Sequence, residues 1–189
     1  MAAAVIAVMV TAVRLSDPFL SVTQPVHSEF LVVEGWIDSY IMNQVACRFK
    51  DGHYRKLFLV RGFETDDYKI ERSRERLIRH GVEPDSIVIV VSPTVQKDRT
   101  YHQALAVRDW LTENGIALNS LDVVTVGPHA RRSRLMFEKA FGKSVNVGIF
   151  ALNDIGYDAQ HWWRSSEGVR EVLGEIIAYV YARFYFVWT

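Results

Sequence analysis

Residues 121–142 decide the fold. Leu121-Asp122-Val123-Val124-Thr125-Val126 is a short run rich in β-branched side chains, and Gly127-Pro128 halts it. His129-Ala130-Arg131-Arg132-Ser133-Arg134 follows, and Met136, Phe137, Ala140 and Phe141 then share one helical face as far as Gly142. A buried strand, a breaker and an amphipathic helix make half of a βαβ unit. The same beat recurs along the chain. Phe30–Val33 ends at Glu34-Gly35, Leu57–Val60 at Arg61-Gly62, Ile87–Val91 at Ser92-Pro93, and Val145–Phe150 forms a fifth run. Runs this short, rich in Val and Ile and not alternating with polar residues, suit strands covered on both faces. Between them Ile37, Ile41, Val45 and Phe49 recur every fourth residue, Ala104, Val107 and Leu111 share a face, and Gly81 and Gly115 stand where helix C-termini are expected. Right-handed crossovers turn this β-α-β-α-β-α-β-α-β order into an α/β domain, a five-stranded, mostly parallel sheet between two helical layers.

Composition agrees with one such domain. The chain has 189 residues, 49% of them hydrophobic and 23% charged, enough apolar surface to build a core. Its 22 basic residues balance 22 acidic ones, so net charge gives no support to a nucleic-acid partner. The single cysteine, Cys47, excludes an internal disulfide, and neither Cys/His spacing nor a carboxylate cluster suggests a metal site.

Residues 1–26 stand apart from the domain expected over 27–189. Ala2–Val13 is small and apolar, short for a bilayer span and without the basic start of a secretory signal. It is either a loosely attached segment or part of a membrane anchor, and Ser16–Ser28, with Pro18 and Pro25, reads as a linker. At the other end Val169, Val172, Leu173, Ile176, Ile177, Val180, Tyr181 and Phe184 follow helical spacing, and an aromatic tail continues to Trp188. Such a helix is expected to pack on the sheet, with Ser166 as its cap; an alternative is a sticky end for a partner or a membrane interface. Trp162-Trp163 reads as core packing or as the wall of a pocket.

Ligands of open parallel sheets bind at the C-terminal strand edge, so the loops there carry the functional reading. The loop after the fourth strand places His129, Arg131, Arg132 and Arg134 at a helix N-terminus. Cations there oppose the macrodipole at roughly 0.3–1 kcal/mol each. A bound anion would reverse the sign, because helix N-termini offer free N–H groups and arginine a planar fork for phosphate or carboxylate. The bland alternative is that these arginines meet solvent or nearby carboxylates. Arg99, beside Thr100 at the start of the third helix, repeats the pattern. The candidate ligand-binding set is therefore Arg61, Arg99, Thr100, Gly127, His129, Arg131 and Arg132. Glu34, Asp98 and His129 are candidate acid–base groups. Each has a structural alternative: Glu34 could pair with Arg61 or Arg99, Asp98 or Thr100 could cap a helix, and His129 could simply donate to a phosphate. No G-x-G-x-x-G follows the first strand, and neither a Walker loop nor a G-x-S-x-G elbow is present.

The order Val32-Val33-Glu34-Gly35, Arg61-Gly62, Arg99-Thr100 with Ala104, and Gly127-Pro128-His129 with Arg132 resembles the YdcF/SanA/ElyC family of bacterial proteins, over roughly His27 to the last helix. His129 and Arg132 match its H-x-x-R element, and Thr100 matches its threonine. Asp98-Arg99-Thr100-Tyr101 and Trp162–Gly168 look like a subgroup with a W-x-S-rich C-terminal loop. Departures occur at Glu34-Gly35 and Arg61-Gly62, where the family often has Gly-Gly, and at His102-Gln103, where it often has Glu-Asn. The resemblance implies a Rossmann-like α/β/α domain, often tethered to the inner membrane and linked to the cell envelope; without an anchor the location would be cytoplasmic. It also implies S-adenosylmethionine as a possible cofactor. Three functions remain open at this point: an enzyme acting on an anionic compound, a non-catalytic module sensing such a ligand, or a scaffold for envelope assembly.

Overall fold

The computed structural model describes residues 1–62, 67–153 and 156–187; Trp188, at the end of the aromatic tail, lies outside the described residues. An apolar helix, α1 (Ala2–Leu20), precedes a regular alternation: β1 (Phe30–Glu34), α2 (Met42–Asp51), β2 (Lys56–Arg61), α3 (Asp67–Arg79), β3 (Ile87–Val91), α4 (Arg99–Glu113), β4 (Ser120–Val126), α5 (Ala130–Phe141), β5 (Asn146–Leu152) and α6 (Ser166–Val180). The five strands are all parallel in the order β3-β2-β1-β4-β5, a Rossmann-like three-layer arrangement. The chain steps outward from β1 to β3, and α4 then carries it back past β1 to β4. Loops leaving β1 and β4 therefore diverge, and they open a crevice at the C-terminal edge of the sheet.

The largely apolar runs are explained by two cores. Val32, Phe58, Val60 and Val123 pack with Val107, Leu111 and Phe137 of α4 and α5. Their neighbours Leu31, Val33, Leu59 and Val124 pack with Val45, Phe49 and Leu77 of α2 and α3. Successive side chains point to opposite faces of a strand, so both faces of β1, β2 and β4 must be apolar. The edge strand β3 departs from that expectation: Ile89 and Val91 are 38% and 61% exposed. Where β1 ends, Gly35 is required, because a Cβ there would lie 1.5 Å from the Val60 carbonyl oxygen.

The N-terminal region differs from the expected linker. Ser16–Leu20 forms the last turn of α1, with Pro18 inside the helix. Leu20 at its end and Val22 beyond it are buried, and Gln24 exchanges backbone hydrogen bonds with Ile149 of β5 (2.8 and 3.1 Å). Asp122, fully buried near the start of β4, ties the segment down. Its carboxylate accepts from the amides of Val26 (2.8 Å) and Ser28 (3.1 Å) and from the Tyr54 hydroxyl (2.7 Å). Gly148 makes room for it, since a Cβ there would sit 1.8 Å from Asp122 Oδ1. The rest of α1 is bare: Ala2–Leu15 is exposed. At 19 residues α1 is long and apolar enough to cross a membrane.

Nor does α6 lie on the sheet as expected. Ser165, not Ser166, caps it, accepting from the Gly168 amide at 3.1 Å. Its inner face meets α1 and the turn Ala159–Arg164: Val172 packs with Leu20 and Trp162, and Trp162 donates through Nε1 to the Val13 carbonyl (3.0 Å). That contact places Trp162 in a packed core. Leu173, Ile177 and Val180, on the other side of the helix, are exposed.

A cleft between helix ends

A cleft of about 360 Å³ lies at the crevice. Five pieces of chain form it: Trp36 after β1, Gly62 after β2, the start of α4 from Asp98 to Gln103, His129 and Arg132 at the start of α5, and Ala178, Tyr181 and Ala182 around the end of α6. The turn Gly127–His129 and the start of α5 put His129 and Arg132 three residues apart on one helical face. The His129 ring stacks at an angle on Trp36, centroids 4.5 Å apart.

Arg132 is the hub. Its Nε and Nη2 donate to the two oxygens of Glu175 on α6 (2.7 and 2.8 Å), and its Nη1 donates to Thr100 Oγ1 (3.3 Å). His129 lies between two carboxylates, with Nδ1 2.8 Å from Glu175 Oε1 and Nε2 3.4 Å from Glu171 Oε2. Burial opposes a charge on the imidazole, but its hydrogen bonds to Glu171 and Glu175 prevail and push its pKa up to about 9. An imidazolium has N–H at both nitrogens. The 3.0 Å approach of Arg132 Nη2 to His129 Nδ1 is then a contact around their shared acceptor, not a hydrogen bond. Glu175 shows the mirror-image effect: burial favours its neutral form, yet His129 and Arg132 pull its pKa down to about 2. Two half-buried cations thus meet one buried and one half-exposed carboxylate.

The pH consequence follows from these directions. His129 titrates higher in the folded chain than its usual 6.5, so its stabilising contribution is complete below pH 6.5 and fades as pH rises through about 9. Glu175 titrates lower than 4.5, so its contribution is complete above that pH and fades as pH falls toward about 2. We expect thermal stability to decline between pH 6.5 and pH 9 by about 2–3 kcal/mol from His129. Denaturation curves of His129→Gln should be flatter over that window; an equal decline in both proteins would contradict the assignment.

The start of α4 forms another wall of the cleft. Asp98 adopts a left-handed conformation (φ 52°, ψ 37°), and no side chain caps the helix, so neither Asp98 nor Thr100 plays the capping role the sequence allowed. The first intrahelical bond in this turn runs from the His102 amide to the Asp98 carbonyl (3.1 Å). Amides 99–101 precede it and point along the positive end of the helix. Gln103, 5% exposed, lines the cleft, and its Oε1 is buried without a hydrogen-bond partner.

The cleft brings together Asp98, Arg99, Thr100, His129 and Arg132 from among the residues singled out in the sequence; the others lie elsewhere. Arg131, expected among the ligand-binding groups, instead lies over the Phe19 ring (3.9 Å to the centroid) and hydrogen-bonds the Phe19 carbonyl. Arg134 pairs with Glu138 and Gln24, and Arg61 with Asp67 at 3.2 Å. Gly127 (φ 48°) shapes the turn after β4 without lining the cleft. Glu34 is completely buried behind it: Oε2 accepts from Ser133 Oγ (2.9 Å), while Oε1 has no hydrogen-bond partner. The carboxylates of α6, Phe19 and local partners therefore compensate the basic run that seemed to need a bound anion. Sequence reasoning missed Glu175 and Glu171. The signal was present: the two acids stand four residues apart, and Glu175 falls on the face of Gly168, Val172 and Ala182, where a carboxylate must find a cation. Among the described residues no group of His, Cys, Asp and Glu is arranged to hold a metal.

Comparison with protein-family models, with curated proteins and with solved structures finds no match for this chain.

Proposed function

We propose that the chain is a membrane-anchored α/β domain that binds a phosphate-bearing or similarly anionic small molecule in the cleft between α4 and α6. The observation that carries this reading is the first turn of α4. Arg99, Thr100, Tyr101 and Gln103 of this turn, which has no side-chain cap, line the 360 Å³ cleft, and Gln103 Oε1 is buried without a hydrogen-bond partner. The amides and Arg99 suit an anionic group, and Gln103 supplies an acceptor for a hydroxyl or N–H on the same molecule. Arg132 supports the site from behind: it holds Thr100 while Glu175 neutralises it. The exposed apolar length of α1 supports the anchor. Resemblance to the YdcF/SanA/ElyC family, carried by Arg99-Thr100 and Gly127-Pro128-His129 with Arg132, supports a place in the cell envelope.

Binding without turnover is the better-supported form. Both nitrogens of His129 are taken by Glu175 and Glu171, so it has no proton to exchange with a ligand. Asp98 is the one carboxylate lining the cleft among the described residues and would carry acid–base chemistry if a reaction occurs. The test is a thermal-shift panel of inorganic phosphate, nucleotides, S-adenosylmethionine and a short polyprenyl phosphate. A hit should weaken about tenfold, near 1.4 kcal/mol, in Arg99→Ala and in Gln103→Leu. It should survive in Arg131→Ala. Asp98→Asn should leave affinity intact, and hydrolysis of the hit that disappears in this variant would establish catalysis. A panel with no hit, or a hit indifferent to both cleft variants, would overturn the proposal.

A further inference from the structure

We propose that Glu175 competes with a bound anion for Arg132: it is an internal stand-in for the ligand, and occupancy of the cleft weakens its hold and loosens the middle of α6. The competition rests on the reading of the cleft as an anion site and gives that site a built-in limit on affinity. Arg132 and His129 both line the cleft, and 20% and 23% of their side-chain surface stays exposed, so a ligand can reach them. Glu175 is 8% exposed, does not line the cleft, and holds both cations from the α6 side. It takes the Nε–Nη2 edge of the guanidinium, while Nη1 donates to Thr100 in the first turn of α4. A phosphate at that turn would take the remaining edge, Nη1 and Nη2. It would then share Nη2 with Glu175 and bring a second negative charge beside that carboxylate, so the two anions weaken each other's contacts.

The effect reaches α6 because of the way that helix is fastened. At its start Val172 packs with Leu20 and Trp162. Beyond its end Ala182 and Phe186 belong to the core shared with α4 and α5. Between these fastenings, from Leu173 to Tyr181, Glu175 is the one buried residue, beside the half-buried Ile176, Ala178 and Tyr179. The strongest hold there is therefore ionic, and a competing charge can relax it where it could not undo apolar packing. Glu171, one turn earlier, is 46% exposed and meets only His129 of the two cations, at 3.4 Å. Linkage makes the antagonism reciprocal: the factor by which Glu175 lowers ligand affinity is the factor by which the ligand loosens Glu175. The helix runs on into a π-helical turn, Tyr181–Tyr185, and Tyr181 lines the cleft, so the loosened segment borders the ligand.

The test titrates inorganic phosphate into the isotopically labelled full chain in lipid nanodiscs, and into its Glu175→Gln, Glu175→Asp and Glu171→Gln variants. Glu175→Gln should tighten phosphate about tenfold, because the competing charge is gone and Arg132 is released. Glu171→Gln removes the same charge one turn away, from a carboxylate that does not touch Arg132, and should change affinity little. Glu175→Asp keeps the charge on a stem too short to span Nε and Nη2; it should tighten binding several-fold and serves if the glutamine variant does not fold. In the parent, hydrogen exchange at residues 173–180 should quicken as phosphate saturates, whereas a ligand that merely fills the cleft would slow it. Equal affinity in the parent and both Glu175 variants overturns the competition while leaving the anion site standing. An equal gain in Glu175→Gln and Glu171→Gln, which would be an effect of net charge alone, overturns it too, as does slowed exchange at 173–180. If phosphate moves no amide from Arg99 to Tyr101 in any of these proteins, the anion site fails and the competition falls with it.

Discussion

Replacing Glu175 by glutamine is expected to lower stability by about 3 kcal/mol, because removing this buried carboxylate leaves the half-buried Arg132 and His129 cations uncompensated. Glu175 is buried between α5 and α6, and its two oxygens take Arg132 in a bidentate grip while one also meets His129. Glutamine keeps the shape but removes the charge and turns an N–H₂ toward a guanidinium. For a chain of this size the loss corresponds to a fall in melting temperature on the order of 10 °C. The variant should also bring the His129 pKa back toward its ordinary value, shifting the alkaline decline to lower pH. The paired change Arg132→Met with Glu175→Leu removes both charges and fills the space, so it should recover most of the loss. Urea denaturation of the two variants checks the account. If Glu175→Gln is as stable as the parent, the cluster is not a charge-balanced unit.

Asp122→Ala should be equally severe for a different reason. Three donors converge on this one buried carboxylate: the Val26 amide, the Ser28 amide and the Tyr54 hydroxyl. Burial, with Asp122 as hydrogen-bond acceptor and negative neighbour, raises the Tyr54 pKa, so the hydroxyl stays a donor across the accessible pH range. Alanine would leave all three donors without a partner in the interior, at about 1–3 kcal/mol each before relaxation. We expect a net cost of about 4 kcal/mol, concentrated where residues 22–28 join the sheet. Hydrogen exchange should report it as lost protection at Val26 and Ser28, with α2 and α3 less affected. Uniform destabilisation, or none, would show that the N-terminal segment is held by its apolar contacts instead.

These two residues also mark the limit of sequence reading. Strand runs such as Leu57–Val60 and Leu121–Val126, and the glycines closing α3 and α4, were legible because periodicity and backbone preference act locally. From them the parallel sheet followed. Sequence does not tell which charge meets which. Arg131 and Arg132 are adjacent, yet one lies over Phe19, 112 residues away, and the other grips Glu175, 43 residues away. Local rules correctly identified a helix start that needed negative charge, but tertiary structure supplied it as carboxylates. Burial of β3 was overestimated because an apolar run reads alike in a central and an edge strand. The last helix was placed on the sheet because its inward and outward stripes are both apolar, so periodicity alone could not choose between them.

The most direct test of the ligand cleft is an amide-shift titration of the isotopically labelled full chain in lipid nanodiscs with a short polyprenyl phosphate, and in parallel with inorganic phosphate. The account predicts saturable shifts at the backbone amides of Arg99, Thr100 and Tyr101 and at the Gln103 side-chain amide, with Arg131 and Arg134 unmoved. Shifts confined to Arg131 and Arg134, or a first turn of α4 that responds to neither compound, would contradict it.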